Sequence, residues 1–314
     1  MTNTTLANEI ENKFTNEPFT LQDVYSAISD KPQTTIRGRI YDNLDKKFER
    51  VAKGVYRVIK NDVECLIIQG DGTDLSFVED GSIDAIITDH PWNDPKSTKG
   101  GNRNFTESYN CFNYQLNHFK EKARVLKEGA FLVEILPAES ETNFHYLYNL
   151  KKMAEESGLL YYAKVPWKKG NFVSNTGRKS KNTEDIMFFT KGKARPLRID
   201  VKKSKNTGEE CFMSGTNKML PTMFDVEAVS IKSRIHQAEK PVDLYEAILE
   251  HITKPGEVIL DQFAGSGNVG IACLNKQRNC ILIELLKENI EKIKERFKDY
   301  LQISSELDLK LNEV

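Results

Sequence analysis

Two short segments hold the side chains best suited to chemistry. Asp89-His90-Pro91-Trp92 closes an apolar run at residues 83–87, and Asp261-Gln262-Phe263-Ala264-Gly265-Ser266-Gly267 follows another at residues 258–260. In the first, a carboxylate, a main-chain carbonyl and a flat aromatic ring stand together, with Pro91 stiffening the turn. That set can hold both N–H bonds of an amino group on a planar ring. The Asp89 carboxylate and the His90 carbonyl would be the acceptors, and Trp92 the surface on which the ring stacks. Held so, the nitrogen pyramidalises towards an electrophile, and no covalent intermediate is needed. In the second segment, small residues let the backbone approach a ligand closely, and free amides at a helix start favour an electron-rich group. Glu284 follows the next apolar run, at residues 280–283. A carboxylate there can accept both hydroxyls of a ribose. A glycine-bearing strand-to-helix turn alone would equally suit a nicotinamide enzyme.

These segments need a scaffold, and the sequence reads as an α/β protein. Apolar runs at residues 83–87, 129–136, 159–165, 185–190, 258–260 and 280–283 predict strands. Helical patterns at 112–126, 143–156, 241–252, 268–274 and 287–300 alternate with them, which implies a mostly parallel, Rossmann-like sheet with helices on both faces. Residues 1–60 have a different texture. Thr20 would cap a helix at 21–28, Pro32 breaks the chain, and a second helix is expected at 33–48. A turn at Gly54 and a strand at 55–59 complete a helix-turn-helix and hairpin that resembles a winged helix. Arg37, Arg39, Lys46, Lys47, Arg50, Lys53 and Arg57 decorate it, as phosphate contact would require. The alternative for this piece is a docking or dimerisation module.

Bulk properties exclude several classes. The net charge of the 314 residues is −1, so no global field advertises a polyanion partner. Between Lys164 and Lys205, however, thirteen Lys and Arg face only Glu184, Asp185 and Asp200, a local surplus of ten. Five cysteines without a C-x-x-C pair argue against a disulfide framework and a structural zinc site, so no metal is expected. No apolar run approaches the roughly 18 residues that span a bilayer, and no signal peptide is evident. A cytoplasmic protein without a membrane partner is expected.

The motifs resemble one family. Asp261-x-Phe263-x-Gly265-Ser266-Gly267 is similar to the S-adenosyl-L-methionine loop of amino-methyltransferases, not the Gly-x-Gly-x-x-Gly of dehydrogenases. His236-Gln237-Ala238-Glu239-Lys240-Pro241 resembles the family's segment lining the methionine end of the donor, with Glu239 where Gln is usual. Gln69-Gly70-Asp71 resembles its Gly-Asp turn before the catalytic strand. Asp89-His90-Pro91-Trp92 is similar to the Asp/Asn/Ser-Pro-Pro-aromatic signature, with His90 in place of the first proline. Catalytic motif first and donor loop last resembles the circularly permuted β class of DNA amino-methyltransferases, over residues 64–300.

The resemblance implies catalytic roles for Asp89, His90, Pro91 and Trp92. It implies donor contacts for Asp71, His236, Lys240, Pro241, Asp261, Phe263, Ala264, Gly265, Ser266, Gly267 and Glu284. Asp in the first signature position points to N6 of adenine, in a base flipped out of double-stranded DNA. Cytosine N4 is the alternative on the same scaffold, and a DNA-binding regulator with an inactive methyltransferase domain is a third reading. Cytosine C5 is excluded, because that chemistry needs a nucleophilic cysteine preceded by proline and none of the ten prolines precedes one. The methyltransferase domain would occupy residues 61–314, with a target-recognition region at about 166–233 in which Trp167, Asn171, Asn175, Arg178 and Asn182 face base edges. Residues 96–105, rich in Lys, Gly and Asn, would form a loop that closes over the base. A second copy of the chain and a restriction endonuclease are the further partners this family context allows.

Overall fold

The computed structural model describes residues 5–14, 18–44, 47–58, 63–92, 111–170, 182–195, 201–203, 210–212, 220–230, 232–234, 239–303 and 309–313. The chain opens with α1 (Leu6–Lys13), β1 (Phe19–Thr20), α2 (Leu21–Ala27), α3 (Gln33–Asp42), β2 (Phe48–Ala52) and β3 (Val55–Val58). Thr20 starts α2 through a reciprocal cap. Its hydroxyl accepts the Asp23 N–H at 3.2 Å while the Asp23 carboxylate accepts the Thr20 N–H at 2.7 Å. The second helix stops at Asp42 rather than reaching residue 48. Asn43 folds its amide back onto the Arg39 carbonyl at 2.8 Å, and Phe48 turns into the core at the start of β2. The three strands pair antiparallel in the order β1-β3-β2. Ile10, Val24, Ile36, Ile40, Phe48 and Tyr56 form a core of their own beneath them.

A larger sheet follows, made of β4 (Val63–Gln69), β5 (Ile83–Thr88), β6 (Leu126–Pro137), β7 (Leu159–Lys168), β8 (Thr183–Lys191), β11 (Phe224–Asp225), β12 (Val258–Asp261), β13 (Asn279–Glu284) and β14 (Leu309–Glu313). A separate ribbon pairs β9 (Val201–Lys203) with β10 (Glu210–Phe212). The nine strands lie in the order β11-β7-β8-β6-β5-β12-β13-β4-β14. All pairs are parallel except those of β8 with β6 and β7. Every residue of β5 is buried, as expected for a parallel strand covered on both faces.

The covering helices are α4 (Leu116–Val125), α5 (Phe144–Glu156), α6 (Val242–Ile252), α7 (Asn268–Asn275) and α8 (Lys287–Ile303). Leu244, Ile248, Val269, Ile293 and Phe297 from α6, α7 and α8 pack with Ala85, Ile87 and Val133 on one face. Phe119, Val125, Leu147 and Leu150 from α4 and α5 pack with Ile83, Ile86 and Leu132 on the other. The predicted α/β sheet with helices on both faces is therefore what the chain builds. No helix among the described residues is long and apolar enough to cross a membrane.

Candidate active site

Strand order decides where the candidate residues meet. β5, β12, β13 and β4 are parallel neighbours, so their carboxyl ends share one rim, the place where open α/β sheets hold ligands. Asp89 follows β5, Asp261 ends β12, Glu284 ends β13, and Gly70-Asp71 follows β4. Four acidic residues scattered over more than 200 positions of chain thus border the same edge.

The loop between β12 and α7 is closely tied. The Asp261 carboxylate accepts the Phe263 N–H at 3.1 Å, and Ala264 donates to the Ile283 carbonyl at 2.9 Å. Gly267 opens α7 with φ +75°, the left-handed region that favours glycine. Glu284 accepts from the Gly265 N–H at 2.8 Å, the Leu286 N–H at 3.0 Å and the Asn289 amide at 3.1 Å. A carboxylate offers about four acceptor sites, so capacity for a further donor remains. Burial, with the neighbouring charges of Asp89 and Glu284, pushes the Asp261 carboxyl up to about 8 against the pull of the Phe263 amide. Gln262 Oε1 and Asn268 Oδ1 are buried and have no hydrogen-bond partner among the described residues. Buried polar atoms of this kind normally meet a partner, and a bound nucleoside-like ligand with hydroxyl and amino groups would fit them.

Two supports of this loop are not evident in the sequence. Gly72 presses against it so closely that a Cβ there would lie 1.8 Å from the Gln262 carbonyl oxygen. Gln262 Nε2 in turn donates to the Gly72 carbonyl at 2.6 Å. Glu239, the departure from the usual Gln, accepts from Asn268 Nδ2 at 2.9 Å and from Arg296 Nη1 at 3.0 Å. The carboxylate is matched by an arginine on α8, which explains why an acidic residue is tolerated in a buried position. Asp71 is exposed, and its carboxylate accepts from the Thr73 amide at 2.9 Å and the Thr73 hydroxyl at 2.8 Å, capping its own turn. Pro241 caps α6, and His236 lies outside the described residues.

The turn after β5 is fixed by its backbone. Trp92 N–H donates to the His90 carbonyl at 2.8 Å and Phe112 N–H donates to the Pro91 carbonyl at 3.1 Å. Pro91 and Trp92 are half-buried, while the His90 side chain turns inward and is 1% exposed. Lys240 Nζ donates to Asp89 Oδ2 at 2.5 Å and lies 3.5 Å from Glu184, whose other oxygen meets Lys169. Burial raises the Asp89 carboxyl, with Lys240 pulling the other way and Glu184 adding to the rise. Burial alone would depress Lys240, but the two carboxylates raise it instead. In the sequence Glu184 stands out only as one of three acids in a basic stretch. Phe112, whose ring stands 5.7 Å from His90 and 5.5 Å from Phe263, links the turn to the loop and carried no sequence signal.

The basic stretch is less basic in space than in sequence. Lys164 meets Glu139 and Asp185, Lys168 meets Asp225, and Arg195 meets Asp84 and Glu257. Trp167, expected to face bases, is 1% exposed and donates its indole N–H to the Val226 carbonyl at 2.8 Å. It is a core residue, because β7 packs that face against Phe188 and Phe224. Asn171, Asn175, Arg178 and residues 96–105 lie outside the described residues.

A glycine-bearing loop between β12 and α7, a carboxylate at the end of β13 and an Asp-His-Pro-Trp turn after β5 thus stand on one rim of an α/β sheet. A family model for N6/N4 DNA methylases matches residues 83–295, and the chain belongs to that family. Type II methyltransferase M.HpaI of Haemophilus parainfluenzae is 28% identical over 231 residues, 71% of this chain and 70% of that protein. Type II methyltransferase M2.DpnII of Streptococcus pneumoniae is 26% identical over 241 residues, 71% and 85% of the two chains. The crystal structure of M1.HpyAVI bound to S-adenosyl-L-methionine superimposes with a TM-score of 0.51 at 22% identity, over 74% of this chain and 98% of that one. PvuII DNA methyltransferase, which is cytosine-N4-specific, gives 0.53 at 17% identity over 81% and 97%. These likenesses concern the fold.

Proposed function

We propose that this protein transfers a methyl group from S-adenosyl-L-methionine to N6 of adenine in double-stranded DNA. The observation that carries the reading is the shared rim, where the Asp89 turn on β5 adjoins the Asp261–Gly267 loop on β12. When bound, S-adenosyl-L-methionine supplies an electrophilic methyl group on a sulfonium. Asp261, Phe263, Ala264, Gly265, Ser266, Gly267 and Glu284 would hold it, with Lys240, Pro241, Asp71 and His236 at the methionine end. Glu284 accepts ribose hydroxyls, and Gln262 and Asn268 supply buried acceptors. The target adenine is flipped out of the duplex and stacks on Trp92. Asp89 and the His90 carbonyl accept hydrogen bonds from its two amino N–H groups. As the nitrogen takes the methyl and the sulfonium leaves as a neutral thioether, one of the two protons is given up, with Asp89 the base within reach. The His90 carbonyl already takes the Trp92 N–H, and its second lone pair serves the base. Lys240 takes only Oδ2 of Asp89 and leaves the other oxygen for the amino group, while Glu184 stands 3.5 Å from the same ammonium.

The chain order of catalytic turn before donor loop supports the permuted β class. The compact unit before residue 60 supports a winged-helix-like module that grips DNA, with target recognition falling to residues 166–233. The protein would act inside the cell, and a second copy or a restriction endonuclease would be its protein partners. Incubation of the purified chain with unmodified genomic DNA and methyl-labelled donor, followed by nucleoside analysis, tests this. N6-methyladenine is expected. N4-methylcytosine would reassign the base, and no modified base with intact DNA binding would make the protein a regulator.

A further inference from the structure

Beneath the Asp89 turn lies a buried polar cluster that the proposed chemistry does not use. It is assembled from five places in the chain: His90 on the turn, Tyr114 before α4, Lys122 on α4, Glu134 on β6 and Tyr146 on α5. The side chains of His90, Lys122 and Glu134 are wholly buried. Lys122 Nζ bonds Glu134 Oε1 and donates to the Tyr114 hydroxyl at 2.7 Å, with the ammonium 3.9 Å above the Tyr114 ring. The Tyr114 hydroxyl lies 3.4 Å from Glu134 Oε2. On the turn side, His90 Nδ1 stands 3.5 Å from Glu134 Oε2 without making a hydrogen bond, Nε2 meets the Tyr146 hydroxyl, and the imidazole lies 4.1 Å from the Tyr114 ring.

This arrangement selects one state of the imidazole. The Glu134 carboxylate, facing Nδ1 across 3.5 Å, favours the proton on that nitrogen, and Nε2 then accepts from Tyr146 O–H. Burial depresses the His90 pKa and keeps the ring neutral, although Glu134 opposes the effect. Burial alone would raise Glu134, but Lys122 and His90 together hold it below the ordinary range. A buried ion pair is weak evidence for stability, since apolar residues of the same volume often serve as well. Its place under the turn therefore calls for another account. The first proline of the related signature would restrict the backbone through its ring; here the backbone is free at position 90 and the side chain is tethered instead.

We propose that His90 is a positioning residue, whose imidazole, held between Glu134–Lys122 and Tyr146, fixes the carbonyl at position 90 and the carboxylate at position 89 relative to the donor loop. The tether replaces a covalent ring constraint by two side-chain contacts to β6 and α5. The inference rests on the catalytic assignment of the Asp89 turn. It goes beyond that assignment in giving the side chain of His90, and four residues far from the motif, a part in the rate of the reaction.

The test uses the full chain, unmodified genomic DNA and saturating methyl-labelled S-adenosyl-L-methionine, with methyl incorporation rate, donor Kd, DNA Kd and Tm measured for each variant. His90→Leu fills the space without either nitrogen. Its rate should fall roughly 10- to 100-fold, the scale on which displacement by about 1 Å acts, with both Kd values within twofold of wild type. His90→Asn places an N–H donor where Nδ1 stood and should recover much of the rate. Tyr146→Phe removes one hydroxyl from a half-buried side chain and leaves the fold intact, so it decides the matter if His90→Leu melts early. It should slow the reaction severalfold, and should add little in the His90→Leu background, because both act through one tether. A wild-type rate for Tyr146→Phe, or equal rates for His90→Leu and His90→Asn, overturns the proposal. Asp89→Ala separates the two levels. If it is inactive while His90→Leu and Tyr146→Phe turn over normally, only the tether is wrong; if it retains turnover, the catalytic assignment and the tether fall together.

Discussion

Replacing Gly72 with alanine perturbs the donor loop without touching any motif residue. The added Cβ would lie 1.8 Å from the Gln262 carbonyl oxygen and 2.8 Å from the Phe263 ring. Real contacts of this kind stay beyond about 3 Å, so the loop or the β4 turn must retreat by roughly 1 Å or more. The obstacle is main chain and cannot rotate aside. Overpacking of this sort destabilises by about 1–3 kcal/mol, and the Gln262 to Gly72 hydrogen bond contributes about 1 kcal/mol more if it breaks. Because Gln262 and Phe263 belong to the donor loop itself, S-adenosyl-L-methionine should bind at least tenfold more weakly by titration calorimetry. Gly70→Ala is the control two residues away. Its Cβ meets nothing nearer than the Ile283 side chain at 3.9 Å, so affinity and Tm should hold. Equal affinities for the two variants would refute the close approach of the β4 turn to the loop.

Glu284→Ala should weaken donor binding by about 1.5–3 kcal/mol, the worth of hydrogen bonds to a charged group, and calorimetry showing no change would mean another residue holds the ribose. Asp261, with its carboxyl pushed up to about 8, is raised above its unfolded value, so the stability it contributes is present at low pH and is lost as pH climbs from about 4 through about 8. Asp261→Asn cannot ionise; its Tm relative to wild type should therefore rise between pH 5 and pH 9, and a flat difference would contradict the buried setting. Trp167→Ala should cost about 3–5 kcal/mol in urea unfolding, because the ring fills the sheet core; a stable variant with altered DNA site preference would restore it as a base reader.

Much of this architecture is legible in the sequence where local rules act alone. The strands at 258–261 and 279–284 and the helices between 143 and 156 and between 242 and 252 follow from apolar periodicity and capping. So does the order of the two motifs. The rest depends on pairing between distant positions. The helix expected from residue 112 begins at Leu116, since residues 111–115 carry Phe112 and Tyr114 to the turn. Among the described residues, part of the local cationic surplus is matched, because Asp84, Glu139, Asp225 and Glu257 arrive from elsewhere in the chain to meet Lys164, Lys168 and Arg195. Gly72, Lys122 and Glu134 obey no pattern that a linear reading could weigh.

The order of strands also governs when the sheet can exist. Both neighbours of β4 come late, β13 at residues 279–284 and β14 at residues 309–313, and Cys65 lies in register with Cys280. The free side of β5 likewise waits for β12. A ribosome adding about 5–20 residues each second leaves β4 without partners for on the order of 10–40 s. During that interval an apolar strand with open hydrogen-bonding edges is available to other nascent chains. Closure of such distant pairs is also intrinsically slow. The protein's yield in a cell should therefore respond to the number of chains made at once and to chaperone supply, and weaker induction should favour the soluble chain.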